Sequence, residues 1–474
     1  MLNMNNSQNA IHKVDVAVIG AGSAGLPAFR AVRRHTDSVV LIEGGVYGTT
    51  CARVGCMPSK LLIAAAEAAH SIKTSIKTSS KFGVYSSKPI INGHDVMRRV
   101  RYERDRFVGF VLESIDNIAP KHHLRGHARF IDNHRIQAEE KIYEAKSVVI
   151  ATGSSPKIMS MFDGIGERLV VNDDIFEWET LPESVAVFGP GVIGLELGQA
   201  LHRLGVRVRV FGISGSIKPI SDPGIRDYAE TLFKDEFPLD AKANIRSIDL
   251  ENDQVKISFV DRDNGEEKAE KFDYLLAATG RNPNVNDLGL ENTELKLDSH
   301  GVPLFNSTTM QCGNSSIFIA GDVNNDLPLL HEAADEGEIA GDNAGRFPDI
   351  KKGLRRSPVT VVFCDPQIAI VGKSWSDLEG NNNVVIGKVS FEGQGRSRII
   401  LKNKGLMHIY ADRNSGLFLG SEFIAPHAEH LAHLMSWSHQ QKMTIQQMLE
   451  MPFYHPVIEE GLRTALRDAK SKLQ

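Results

Sequence analysis

The chain has 474 residues, 42% of them hydrophobic and 24% charged, with a formal net charge of -5. That length suggests about three domains around a large core, and the slightly acidic balance offers no electrostatic footprint for nucleic acid. No stretch has the length and purity of a membrane-spanning helix, and the Asn-rich start, Met1 to His12, lacks the apolar run of a signal peptide. We therefore expect residues 1–12 to be a frayed tail on a cytosolic protein without a membrane or nucleic-acid partner.

The first element is the apolar run Val14-Asp-Val-Ala-Val-Ile19, which reads as a buried parallel strand. Gly20-Ala-Gly22-Ser-Ala-Gly25 follows, then a helical stretch to about Arg34 and a second strand, Ser38 to Ile42, ending at Glu43. The same order recurs with the strand Ser184–Phe188, the turn Gly189-Pro-Gly191-Val-Ile-Gly194, a helix from Leu195 to Leu204 and the strand Arg207–Phe211. One such glycine pattern is weak evidence. Two copies, each between a strand and a helix, point to two dinucleotide sites, because glycine lets the backbone approach a pyrophosphate at a helix N-terminus.

Between these units the basic run Arg98-Arg99-Val100-Arg101 reads as a solvated helix face. Two strands end in Ala-Thr-Gly, at Gly153 and Gly280, and bracket the second unit. The simplest architecture is one domain interrupted by another. From about Pro358 the strands Thr360–Phe363, Ile368–Val371 and Leu417–Leu419 suggest a separate sheet, with helices around Glu429–Gln440 and Ile458–Lys472.

Four cysteines in so long a chain do not form a secreted disulfide framework. Cys51 and Cys56 stand five positions apart in Gly48-Thr-Thr-Cys51-Ala-Arg-Val-Gly55-Cys56-Met-Pro58-Ser-Lys60. A regular helix would hold their Cα atoms about 8–9 Å apart, too far for a disulfide, which needs less than about 7 Å. A bridge therefore requires a distorted backbone, for which Gly55 and Pro58 are suited. Two unrelated thiols are the alternative. A metal site lacks further ligands nearby, and we expect none.

Cys51-Ala-Arg-Val-Gly-Cys56-Met-Pro-Ser-Lys60 resembles the active-site motif of the flavoprotein disulfide reductases, the family of dihydrolipoamide dehydrogenase, glutathione reductase and mercuric reductase. Thr279-Gly280-Arg281-Asn-Pro-Asn284, Ile317-Phe-Ile-Ala-Gly321-Asp322-Val323, Val362-Phe-Cys-Asp-Pro-Gln-Ile-Ala369 and His455-Pro456 with Glu460 match further family segments in order. The resemblance implies an α/β protein with two Rossmann-like dinucleotide-binding domains, one inserted in the other, and a C-terminal α+β dimerisation domain. The expected boundaries are 13–153 and 282–352 for the FAD-binding domain, 154–281 for the NAD(P)-binding domain and 353–474 for dimerisation.

By resemblance, Gly20, Gly22 and Gly25 admit the FAD pyrophosphate, Glu43 meets the adenosine ribose, and Asp322, after Gly321, lies by the ribityl chain and flavin phosphate. Thr152, Gly153, Gly280, Arg281 and His331 are further expected cofactor residues, and Gly189, Gly191, Gly194 and Gly212 are expected at the nicotinamide nucleotide. Lys60, paired with Glu196, would stabilise reduced flavin. Cys51 would be the exposed interchange thiol and Cys56 the thiol facing the flavin. His455, oriented by Glu460, would be the acid–base group, reaching the site from the other subunit of a homodimer.

The segment Leu330-His331-Glu-Ala-Ala-Asp-Glu-Gly337 and the aliphatic Val192 resemble dihydrolipoamide dehydrogenase more than glutathione reductase. The expected activity is oxidation of a dihydrolipoyl dithiol, small or carried on a separate protein chain, with NAD as partner and NADP as a possibility. A reductase of another disulfide or of a non-disulfide acceptor is the alternative. A transhydrogenase is a further one, against which the intact cysteine pair counts. The sequence departs from the family at Val457 and Glu459, where Thr and Ser are usual, and at Gly212, where NAD-specific relatives carry glutamate. Relaxed nucleotide specificity is the expectation from Gly212, and Glu459 places a second carboxylate beside the dyad.

Overall fold

The computed structural model describes residues 11–84, 87–262 and 264–473, the side chains of 75–81 excepted. Residues 1–10 of the expected tail lie outside this range. Ile11 and His12 are not tail: the first strand is Ile11–Ile19, because Ile11 and His12 pair in parallel with Ile142 and Tyr143 of the long strand Lys141–Ile150. The chain forms two compact units.

The first unit comprises residues up to Pro58, Arg101–Lys157 and Arg281–Arg355. Its sheet places the strand Ile11–Ile19 between Val39–Glu43 and Lys141–Ile150, all parallel. Ile317–Ile319 adds in parallel to the C-terminal half of Lys141–Ile150, and Arg135–Ala138 pairs antiparallel with its N-terminal half. Val16, Val18, Val39, Leu41 and Val149 pack on one side with the helix Gly25–Val32, while Ala17, Ile19, Val40, Ile42 and Ile150 pack on the other. This two-sided burial is why the strands read as continuous apolar runs. The helix Leu330–Arg346 lies against Gly25–Val32 through Gly337 and Gly341, where a Cβ would collide with the carbonyl oxygens of Ala24 and Ala28.

The second unit comprises Ser59–Val100, Ile158–Gly280 and Arg356–Gln474. The sequence reading assigns 59–100 to the FAD-binding domain. Its apolar residues Leu62, Ile63, Ala66, Met97 and Val100 instead join a core with Val185, Leu201 and Val206, which places the segment in this unit. In the basic run, Arg98 and Arg99 are exposed and Val100 is buried, as an amphipathic helix requires. The parallel sheet of this unit runs Leu239–Asp240, Arg207–Phe211, Ser184–Phe188, Tyr274–Ala277, Leu169–Val170, and an antiparallel meander, Asn244 to Phe272, follows its first strands in sequence. A five-stranded antiparallel sheet from Val359 to Ala425 is covered by the helices Ala428–Gln440 and Glu460–Lys470. Among the described residues no helix is long and apolar enough to cross a membrane.

Candidate functional site

Both glycine turns share one construction. A Cβ on Gly20 or Gly25 would collide with the carbonyl oxygen of Ala151 or Gly20, and on Gly189 or Gly194 with that of Ala278 or Gly189. These outer glycines serve the turn itself. The middle glycines differ: among the described residues nothing lies within 4 Å of a Cβ on Gly22, and only Lys218 Cβ, at 3.8 Å, faces one on Gly191. The open face at each middle position is where a pyrophosphate can approach the backbone, so both turns fit a dinucleotide. The glycine turns open the helices Gly25–Val32 and Val192–Arg203.

Glu43 ends its strand as expected, but its oxygens already accept from backbone N–H groups, Oε2 from Ala21 at 2.7 Å and Oε1 from Gly45 at 2.6 Å. The carboxylate thus braces the glycine turn and retains lone pairs for a ribose. Asp322 Oδ2 accepts from Ser154 Oγ at 2.8 Å, and Arg281 donates to that same Oγ at 2.8 Å and to the Ser154 carbonyl at 2.6 Å. Thr152 Oγ1 donates to the Asn284 carbonyl at 2.7 Å, and Gly153 and Gly280 hold positive φ angles of 70° and 110°. His331 stands in the first turn of Leu330–Arg346, its side chain about half exposed. Missed by sequence reasoning is a clamp behind Gly321. Glu336, wholly buried, accepts from Gly321 N at 2.8 Å and Asn324 Nδ2 at 2.7 Å, and Arg355 holds its other oxygen at 2.7 Å. Arg355 is 19 positions away, and no local pattern announces the contact.

The cysteine segment is irregular where a bridge between the two thiols would require it. A short helix, Thr50–Val54, carries Cys51, and a second, Cys56–Phe82, starts at Cys56. Gly55 separates them with φ -127° and ψ -114°, and a Cβ there would press to 3.3 Å from Cys51 Cα. Upstream, Gly48 and Thr49 both hold positive φ, 117° and 60°. Positive φ is strained for threonine, and its side chain is held by capping Ala52 N at 3.3 Å. The expected exposures are reversed. Cys56, following the break, is exposed, whereas Cys51, inside the short helix between buried Ala52 and the cap, is only partly so. The other cysteines, Cys312 and Cys364, are buried, and burial pushes both thiols far up. They are not thiolates near neutral pH.

In the second unit, Lys60 Nζ donates to Glu196 Oε2 at 2.7 Å. Glu196 is 4% exposed and its second oxygen accepts from Phe363 N at 2.9 Å, while the Phe363 ring lies 4.6 Å beneath the ammonium. This is a built-in pair and not a surface contact. His455 Nδ1 lies 3.0 Å from Glu460 Oε2, with the imidazole 80% exposed. Arg463, one turn on, donates to Glu460 Oε1 at 3.0 Å and fixes the carboxylate. The hydrogen bond from His455 holds the Glu460 carboxyl below the usual carboxylate range. No hydrogen bond or ion pair joins Glu459 to His455 among the described residues; Glu459 is the N-cap of the terminal helix.

Gly212 is the remaining expected position. A Cβ there would stand 2.5 Å from the Ala241 carbonyl oxygen and 2.8 Å from Pro190 Cγ. The backbone leaves no room for a side chain, so a glutamate cannot be restored there without moving both segments. Arg207 and Arg209 ion-pair with Glu270 at 3.3 and 2.8 Å, which directs both onto the meander.

Comparison with known proteins agrees with this assembly of parts. The chain is 28% identical over 458 residues to dihydrolipoyl dehydrogenase of Chlamydia pneumoniae, covering 94% of this chain and 95% of the relative. It is 28% identical over 481 residues to dihydrolipoyl dehydrogenase of Bacillus subtilis, covering 97% and 98%. Its fold matches the HOCl-induced flavoprotein disulfide reductase RclA from Escherichia coli with a TM-score of 0.77 at 20% identity, over 97% of this chain and all of that one. Residues 14–337 match the pyridine nucleotide-disulphide oxidoreductase family, and residues 358–466 match that family's dimerisation domain. The chain therefore belongs to the pyridine nucleotide-disulphide oxidoreductases, enzymes that work with FAD and NAD(P).

Proposed function

We propose that this chain oxidises the two thiols of a dihydrolipoyl group to the disulfide and reduces NAD(P)⁺ to NAD(P)H with release of one proton. The observation that carries the reading is the cysteine pair set on either side of the Gly55 break, in a chain that also holds a preformed His455–Glu460 pair. The full-length similarity to dihydrolipoyl dehydrogenases supports the choice of substrate. FAD, when bound, relays two electrons between the cysteine pair and the nicotinamide.

The chain's own residues have separable tasks. Gly20, Gly22, Gly25 and Glu43 hold the adenine end of FAD, and the Ser154–Asp322–Arg281 group holds its flavin end. Cys51 exchanges with the substrate sulfur, which requires a thiolate. His455 takes the substrate's thiol proton, and Glu460 keeps Nδ1 occupied so that Nε2 is the working nitrogen. His455 serves the cysteine pair of the opposite subunit, which makes the functional unit a homodimer. Lys60, steadied by Glu196 and Phe363, supplies positive charge beside the reduced flavin.

A second reading, a reductase of another disulfide, draws on Val457 and Glu459, which replace the usual Thr and Ser beside the dyad. One assay separates the two: turnover of dihydrolipoamide by the FAD-loaded protein with NAD⁺ and with NADP⁺. Rapid, saturable nucleotide reduction is expected with at least one of them. Absent turnover, alongside NAD(P)H-driven reduction of other disulfides, would replace the lipoyl assignment with the second reading.

A further inference from the structure

The tip of the second strand in a dinucleotide fold decides which adenosine is bound: a carboxylate there bonds the ribose hydroxyls, whereas a 2′-phosphate needs cationic or donor groups. In this chain the strand Arg207–Phe211 ends at buried Gly212. Its N–H donates to the Asp240 carbonyl and its carbonyl accepts from Ala243 N, each at 2.7 Å. With Ala241 O and Pro190 closing the space where a Cβ would sit, no acid can occupy the tip. The groups that face the adenosine must come from the loop that follows and from the segment beside it.

That loop and the segment beside it bring together two hydroxyls and one ammonium. Ser214 Oγ and Ser216 Oγ lie 2.6 Å apart. Gly215 between them has φ 72°, and its N–H donates to the Ala241 carbonyl at 2.9 Å, which folds the loop back over residues 241–242. The methylene stem of Lys242 lies against Gly215, with Cδ 3.5 Å from where a Cβ would be. Lys242 is exposed and forms no ion pair among the described residues, where the neighbouring carboxylate, Asp240, is engaged by Arg262 at 3.2 Å and by the Lys242 backbone N–H at 2.9 Å. Glu270, on the meander, is likewise engaged by Arg207 and Arg209.

We propose that Ser214, Ser216 and Lys242 form a cradle for a 2′-phosphate, so that this chain selects NADP(H) over NAD(H). The proposal rests on the reading of Gly189–Gly194 as the turn that holds the nicotinamide nucleotide. Charge-assisted hydrogen bonds from an ammonium and hydroxyls to a phosphate are stronger than neutral ones, and lysine serves such sites as a point charge. The missing acid removes the repulsion that would oppose them.

Titration calorimetry of the FAD-loaded protein with 2′,5′-ADP and with 5′-AMP, at one ionic strength, tests the proposal without turnover. 2′,5′-ADP should bind at least about tenfold more tightly, equivalent to about 1.4 kcal/mol, and the ratio should shrink as salt rises. Lys242→Met should abolish most of that ratio by weakening 2′,5′-ADP alone, Lys242→Arg should retain it, and Ser214→Ala with Ser216→Ala should reduce it by a smaller factor. Equal affinity of the wild-type protein for both probes overturns the cradle while leaving the dinucleotide turn intact. A ratio unmoved by Lys242→Met overturns the assignment of these residues. Failure of both probes to bind, with FAD retained, overturns the nucleotide turn and the cradle together.

Discussion

Two features of His455 suit the proposed acid–base role: Nδ1 is committed to Glu460, and the rest of the ring is exposed. Glu460 in turn is committed to Arg463 through its second oxygen, so the imidazole has a fixed partner in a fixed place. His455→Ala should lower dithiol–disulfide turnover by about 10²–10⁴, the range for a positioned acid–base group. FAD content and the rate of flavin reduction by NAD(P)H should stay near wild type, which separates a proton-transfer role from a structural one. At the cysteines, exposure ranks Cys56 above Cys51, opposite to the roles assigned by resemblance. Absorbance spectra of the reduced single mutants decide between them. If Cys56 is the flavin-side thiol, Cys56→Ser abolishes the long-wavelength thiolate–flavin band, and Cys51→Ser displays it without reductant. The opposite pattern would exchange the two roles.

Among the elements, the helix Leu330–Arg346 depends on glycine at the contact with Gly25–Val32, because its backbone touches Ala24 and Ala28. Gly341→Val should overpack this crossing and destabilise by about 1–3 kcal/mol, seen as a lower urea midpoint and weaker FAD retention. A second element, the helix Pro223–Lys234, starts at Asp222, which caps Gly224 N at 2.8 Å and accepts from Tyr410 Oη at 2.9 Å and from His408 Nδ1 at 2.7 Å. Burial alone would push the Asp222 carboxyl up, yet the bond from His408, the attraction of that ring and the cap hold it below its ordinary value. A carboxyl depressed in the folded state stabilises it above the unfolded value, about 3.9, and that stabilisation is lost as pH falls through the folded value. Asp222→Ala should therefore lower the melting temperature at pH 7, by the equivalent of about 0.5–2 kcal/mol for the lost cap alone. The gap to wild type should narrow in melts below about pH 4. A gap that stays constant with pH would show that the carboxylate's charge contributes nothing.

For the whole molecule, the proposal of sites shared between subunits makes a prediction independent of any single rate. Mixing Cys51→Ser and His455→Ala proteins and allowing subunits to exchange should restore activity. Each hybrid dimer then carries one site with both lesions and one with neither. No recovery after exchange, proved by mass spectrometry of differently tagged subunits, would place His455 and Cys51 of one site in the same chain.

Much of this protein was legible in its residues. The strands Ser184–Phe188 and Arg207–Phe211 have the predicted bounds: the first is buried along its whole length, and the second buries Val208, Val210 and Phe211 while its arginines turn to Glu270. The glycine turns, the cysteine spacing that allows a bridge only across a broken helix, and the His455–Glu460 spacing are local patterns, each set by chemistry within a few residues. What lies beyond the sequence is long-range. Arg355 reaches Glu336, Phe363 supports both Lys60 and Glu196, and residues 59–100 find their apolar partners around Val185 and Leu201. Gly212 shows the difference most clearly. By itself it was a missing carboxylate. Only the packed backbone of Ala241 and the ring of Pro190 reveal that no side chain fits there, and only the fold brings Lys242 beside the loop that carries Ser214 and Ser216. Periodicity and motif chemistry act between near neighbours, whereas the shape of that site is made by segments that meet only when the chain is folded.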